Sequence, residues 1–274
     1  DVMITPLTPV PNEWMVQEWN KSRDTLRYYI LSDRLDTISL RIWQDTMVFD
    51  TVSWSLAEEE IPMKKKDREQ AQVLRIFDNL RSPFPYYDTL KLKTGYPFRE
   101  VDFSQFLLVE NNDTLIPEFE IYDQAGRMFR LKHQFKEQAS YVLFFPDSVL
   151  YDIAGRSNDS TQIRFSTNSY EDYGLLQIHV TNASPYDRLM IQLMTEDEKL
   201  IRENIVDAER TIEWDLLPPG KYVIKAYADL NRNQKWDTGD YLERRQPEKV
   251  VFFPGVIEVR AGWSFEEDWL VEFK

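Results

Sequence analysis

Oxygen-bearing side chains recur at a chemically useful spacing in one stretch of this chain, Asp229 to Tyr241, which reads DLNRNQKWDTGDY. A twelve-residue calcium loop draws ligands from positions one, three, five, seven, nine and twelve, the seventh through its backbone carbonyl. Counted from Asp229, these are Asp229, Asn231, Asn233, Lys235 (carbonyl only), Asp237 and Asp240. The spacing therefore predicts a structural Ca2+ site. Gln234 stands where such loops carry glycine, and Asp240 is shorter than the usual bidentate glutamate. The same residues support a second reading. Short Asp and Asn side chains bonded to nearby backbone build an ion-free turn, with Gly239 supplying a positive φ.

Aromatic residues offer another chemistry. Trp236 lies inside the loop and Trp263 follows near the C-terminus; rings exposed on a rigid β scaffold can bind sugars through their faces. The competing role for Trp236 is a plug that holds the loop against a sheet. Tyr86 and Tyr87, beside Pro83 and Pro85, form a lesser pair of the same kind. Nucleophilic hydrolysis needs a base beside its nucleophile, and the histidines are His133 and His179. Their strand contexts mark both as structural, and no H-E-x-x-H, G-x-S-x-G or phosphate-cradling glycine motif is present. A glycosidase pair could be drawn from 47 acidic residues, but no fold cue points to one. No catalytic residue is assigned, and the expectation is a protein that is not an enzyme.

The elements that must position these residues are strands. At 274 residues, 42% hydrophobic and 14% aromatic, the chain can bury two or three cores. Its net charge of −14 argues against nucleic acid, whose binding is driven by Lys and Arg. The absence of cysteine excludes disulfides and thiolate chemistry, and no apolar run is long enough for a membrane span. The sequence opens at Asp1 without a secretory leader, and the expectation is that any targeting segment has been removed or lies upstream.

Asp1 to Asn20 is punctuated by prolines and reads as extended chain with at most one edge strand. Strand-like runs follow at Thr25 to Leu31, Thr37 to Trp43 and Thr46 to Leu56, each opened by Asp-Thr. Glu58 to Gln72 reads as a charged linker, with a short helix over Asp67 to Leu80 as the alternative. From Val73, alternating runs separated by turn signals predict a β-sandwich, including Leu90 to Thr94, Met128 to Phe135, Tyr141 to Phe145 and Gln162 to Thr167. A further set from Gly174 to Phe273 predicts another, interrupted by the loop at Asp229. The fold class is all-β: tandem β-sandwiches after a partial β domain, with boundaries at 1–70, 71–169 and 170–274.

Three stretches carry a family resemblance. Tyr141-Val142-Leu143 with Asp147, Tyr151-Asp152-Ile153-Ala154-Gly155 with Asn158-Asp159, and Arg164-Phe165-Ser166-Thr167 resemble the closing half of a bacterial Ig-like domain. Leu217-Pro218-Pro219-Gly220-Lys221-Tyr222, Asp229 to Gly239 and Gln246-Pro247-Glu248 are similar to a prealbumin-like (transthyretin or Cna-B type) sandwich. Together they resemble a Gram-negative cell-surface lipoprotein family. The resemblance implies an exported, non-enzymatic protein at the outer-membrane surface or beyond it, whose parent is lipid-anchored. It also implies a surface protein or glycan as partner.

Overall fold

Alternation of side chains along strands builds both halves of the molecule. The computed structural model describes residues 3–12, 14–20, 22–31, 35–56 and 73–273. The expected linker over Glu58 to Gln72 lies outside the described residues. The chain divides into two units, Asp1–Thr167 and Asn168–Lys274, and the architecture is all-β, as tandem β-sandwiches.

The first unit opens with a three-stranded sheet in the order Met3–Pro6, Thr37–Gln44, Met47–Ser55, and a hairpin of Met15–Trp19 with Leu26–Ile30. Two strands thus form where one edge strand at most was expected, because partners later in the chain supply their pairing. Their core is small, centred on Trp14, Ile38 and Leu40. Met47–Ser55 is a sheet edge exposed along most of its length.

The rest of this unit is built on two four-stranded sheets. One runs Asp113–Leu115, Leu107–Glu110, Ser140–Phe145, Thr161–Ser166; the other runs Phe119–Ile121, Met128–Leu131, Lys91–Thr94, Ile76–Asp78. Tyr141, Leu143 and Phe145 point inward from the first, and Leu92, Phe129 and Leu131 from the second. Phenylalanines stitch them together: Phe106 stacks on Phe145 at 5.1 Å and meets Phe119 edge-on at 5.2 Å. Each such ring, fully buried, contributes about 1.5–3 kcal/mol. Ile76–Asp78 forms a strand where the alternative reading placed the end of a helix.

An ion pair ties the N-terminal hairpin to this sandwich. Buried Arg127 reaches Glu18 at 2.6 Å, and the Tyr29 hydroxyl donates to the same carboxylate at 3.0 Å. Burial alone would raise the Glu18 pKa; the hydrogen bonds from Arg127 and Tyr29 outweigh it and hold the carboxyl below its ordinary value.

The second unit packs a three-stranded sheet (Glu209–Leu217, Gly174–Asn182, Ser264–Val271) on a larger one. The larger sheet orders Leu200–Val206, Leu189–Thr195, Gly220–Ala228 and Val250–Phe252, with Ile257–Val259 also pairing Gly220–Ala228. Leu176, Ile178 and Val180 face Ile191, Leu193, Ile224 and Ala226 in one core with Trp214 and Trp269. The Gly174–Asn182 and Ser264–Val271 strands are parallel, from Leu175↔Ser264 to Asn182↔Val271. Gly174 is required for space beside the end of Ile257–Val259, since a Cβ there would stand 2.4 Å from Val259 Cγ1 and 2.7 Å from the Arg260 carbonyl oxygen. Leu189–Thr195 is buried on both faces, Met190 and Met194 included.

Candidate functional site

The loop after Gly220–Ala228 is held by short-range hydrogen bonds that its Asp and Asn content makes available. The Asn231 Oδ1 accepts from the Asn233 amide at 3.1 Å, and the Asn233 Oδ1 accepts from the Lys235 amide at 2.7 Å. These are successive Asx turns. Both Asn side-chain amides then donate to one oxygen, Asp237 Oδ2, at 2.6 and 2.8 Å. Asp229 Oδ1 accepts from the Gln234 amide at 3.3 Å. Asp229, Asn231, Asn233 and Asp237 are therefore brought together.

The left-handed turns fall on Arg232 and Gln234, each at φ 60°. Gln234 thus adopts the conformation that a calcium loop usually gives to glycine. Gly239 does not have a positive φ, which corrects the expectation. It is required for space instead: a Cβ there would lie 2.9 Å from the Arg245 carbonyl oxygen and 3.0 Å from Pro247 Cδ. Asp240 turns to its own bend, accepting from the Leu242 and Glu243 amides at 2.8 and 3.0 Å. No bond of the Lys235 carbonyl joins it to the cluster.

Glu248 fastens this loop, and sequence reasoning missed it as a site residue. Its buried carboxylate accepts from the Leu230 amide at 2.8 Å and the Asp237 amide at 3.0 Å. Its backbone completes the clasp, donating to the Asp237 carbonyl at 3.1 Å and accepting from the Trp236 indole N–H at 3.0 Å. The available signal was a lone acid after Pro247, just ahead of a strand, which faces back across the loop.

Two oxygens beside the loop are buried without a hydrogen-bond partner, Asp229 Oδ2 and the Tyr227 hydroxyl. Asp229 is 2% exposed, and its Oδ2 has only the Arg188 guanidinium as ion partner, at 3.4 Å from Nε. Burial pushes the Tyr227 phenol up to about 12, reinforced by the negative charges of Glu203, Asp229, Glu248 and Asp237. Among the described residues, no group of three or more His, Cys, Asp or Glu is arranged to hold a metal ion. The donors to Asp237 Oδ2 are side-chain amides, so that oxygen is hydrogen-bonded within the loop, whereas Asp229 Oδ2 is not.

Neither candidate tryptophan lies in a strand: one is in the loop after Gly220–Ala228, the other just ahead of Ser264–Val271. Trp236 is 41% exposed, bonded to Glu248, with the Lys225 ammonium 5.8 Å from its ring; Lys225 also faces the Tyr227 ring at 5.6 Å. It pins the loop through its N–H and keeps part of its ring in solvent. Trp263 precedes the Ser264–Val271 strand, is 58% exposed, and stacks on Phe265 at 6.3 Å with Arg260 5.7 Å from its centre. Tyr86 and Tyr87 meet edge to face at 5.6 Å.

Both histidines are engaged. His133 Nε2 lies 3.1 Å from buried Glu110, which also accepts from the Tyr141 hydroxyl at 2.8 Å and pairs with Lys136. Burial would raise the Glu110 pKa, but the bonds from Lys136, Tyr141 and His133 hold it below the ordinary value. His179 bridges Thr211 and Glu209, 2.8 Å from each, on a solvent face. The Thr211 hydroxyl beside His179 stands on an open sheet face.

No family model matches the chain, and no curated protein matches it. Among solved structures it is similar to the N-terminal part of the bacterial S-layer protein SbsC, at 12% identity and TM-score 0.32, covering 72% of this chain and 46% of that one. It is also similar to a variant of BcpA, the major pilin subunit of Bacillus cereus, at 9% identity and TM-score 0.25, covering 87% and 85%. A third is SGBP-B of the Bacteroides ovatus mixed-linkage glucan utilization locus, in complex with a mixed-linkage heptasaccharide. That match is at 9% identity and TM-score 0.21, covering 98% and 64%. The chain thus spans under two thirds of the S-layer fragment and of SGBP-B. Among the described residues no helix is long and apolar enough to cross a membrane, which says nothing of β-barrels.

Proposed function

We propose that this chain is a non-enzymatic protein of the cell surface whose β-sandwiches space and present binding surfaces outside the cell. The observation that carries the reading is the pair of separately filled cores in series, with polar or aromatic loops at their margins and the histidines engaged in structural bonds. The first sandwich is read as Ig-like, the second as prealbumin-like, and the N-terminal sheet as part of a further β domain. Antibody against the chain is expected to label intact cells. Signal that appears only after lysis would sink the proposal.

Sugar binding is the second reading, favoured by Trp263, more than half exposed on a stacked pair of rings. A glycan array comparing wild type with Trp236→Ala and Trp263→Ala tests it, the expected result being a signal that one substitution removes; no signal from wild type rejects it. The loop carries a third element, a structural Ca2+ held by Asp229, Asn231, Asn233 and Asp237 with the Lys235 carbonyl. Its support is the ligand spacing, the turn at Gln234 and the unbonded Asp229 Oδ2. A ligand bound only to the folded state raises Tm by mass action. Millimolar calcium is expected to raise the Tm over that in chelator, and Asp229→Ala to abolish the rise. An unchanged Tm assigns the loop to the ion-free form.

A further inference from the structure

The outer face of the sheet containing Lys91–Thr94 runs against the charge of the whole molecule. Alternation buries Leu92 and Thr94 and sends Lys91 and Lys93 out. Register places Phe77, Lys93 and Met128 in one row, and Lys91, Arg130 and Glu120 in the next. Tyr122 joins the first row through its amide bond to the Met128 carbonyl. The acids of this face are already matched: Glu120 accepts from Arg130 at 2.8 and 3.0 Å, and Glu118 pairs with Lys132 at 3.0 Å. Lys91 and Lys93 have no carboxylate partner among the described residues. In a chain of net charge −14, this concentrates unmatched positive charge on one sheet face.

Aromatic rings flank the lysines. Phe77 is 56% exposed beside Lys93, and Tyr122 is exposed with the Arg130 guanidinium 5.6 Å from its ring centre. We propose that this face binds an acidic polysaccharide of the polyuronate type. Sugar carboxylates meet Lys91 and Lys93, about 7 Å apart along the strand, and pyranose faces rest on Phe77 and Tyr122. Charge complementarity selects an anion, and exposed rings set among cations along neighbouring strands select an extended sugar chain. Nucleic acid is disfavoured because its affinity grows with the number of phosphates neutralised, and two unmatched lysines on an acidic molecule neutralise few. This site deepens the reading of the chain as a binding protein outside the cell.

Binding of the full chain to immobilised polygalacturonate tests the proposal, with methyl-esterified polygalacturonate, phosphatidylglycerol vesicles and a single-stranded oligonucleotide as the other arms. Wild type is expected to bind polygalacturonate, to weaken with added salt, and to lose its affinity for the neutral ester. The double substitution Lys91→Gln and Lys93→Gln, at exposed positions, is expected to weaken binding about tenfold or more with Tm unchanged. Phe77→Ala is expected to weaken it with the salt dependence retained. Three results would overturn the site: no binding by wild type, equal binding by the lysine variant, or preference for vesicles or oligonucleotide. None of them touches the surface labelling of intact cells, so the two readings fail separately.

Discussion

Tyr227 shows what a single buried polar atom costs and how that cost is read. Its hydroxyl has no hydrogen-bond partner, so Tyr227→Phe is expected to leave Tm unchanged or raise it. The phenol is pushed up to about 12 in the folded state from an ordinary 10. A raised pKa contributes stability that is complete below pH 10 and lost as pH rises toward 12. Tyr141, also pushed up to about 12, acts in the same window. Thermal melts from pH 9 to 12 should therefore fall more gently for Tyr227→Phe than for wild type; identical slopes refute the assignment. Glu110 works with the opposite sign. Its pKa lies below the ordinary 4.5, so its contribution is present above that value and lost as pH falls through the folded one. Glu110→Gln is expected to cost about 1–3 kcal/mol at neutral pH, since it leaves donors poorly matched, and to flatten the acid limb of a denaturation series. Asp229, Asn231, Asn233 and Asp237 were legible in the sequence because their bonds are local, two to six residues apart. Glu248 was not, because it meets Leu230 only after the chain has returned across the loop.

At the scale of elements, the loop from Asp229 to Glu248 is a clasp closed at one point. Glu248→Ala removes the acceptor for both the Leu230 and Asp237 amides. The expected result is a loop that opens while both sheets remain. Limited trypsin digestion should cut first at Arg232, Arg244 or Arg245, several times faster than in wild type, with little change in Tm; equal cleavage rates would mean that Glu248 is not the clasp. The longer strands were legible from alternation: Ser140–Phe145 and Thr161–Ser166 lie where Tyr141 to Phe145 and Gln162 to Thr167 were expected. Two short strands that pair with each other, Phe98–Val101 and Leu150–Asp152, were not. A run that short has no period of its own, and its partner decides its conformation. Met128 to Phe135 was expected as one strand, yet pairing ends at Leu131, because the segment beyond turns Phe135 into the core.

For the whole molecule, two units with separate cores predict unfolding in two steps, outside simple two-state behaviour. Leu143→Ala in the first core and Ile224→Ala in the second should each cost about 2–5 kcal/mol. In calorimetry each is expected to lower one transition and spare the other; a single peak moved by both would join the units into one cooperative body. Charge also acts at this scale. The net −14 argued against nucleic acid, but net charge averages over faces, and strand register is what gathers Lys91 and Lys93 on one of them.

The parallel pairing of Gly174–Asn182 with Ser264–Val271 has a mechanical meaning. These are the first and last strands of their unit. Tension applied through the two ends of the unit enters the first strand at its beginning and leaves the last at its end. In a parallel pair those points lie at opposite ends of the ladder. The pull therefore slides one strand along the other and loads the whole row of backbone bonds together, whereas an antiparallel terminal pair would peel open one bond at a time. A unit wired in this way resists being drawn out by flow or by a moving ligand far better than its equilibrium stability alone would suggest.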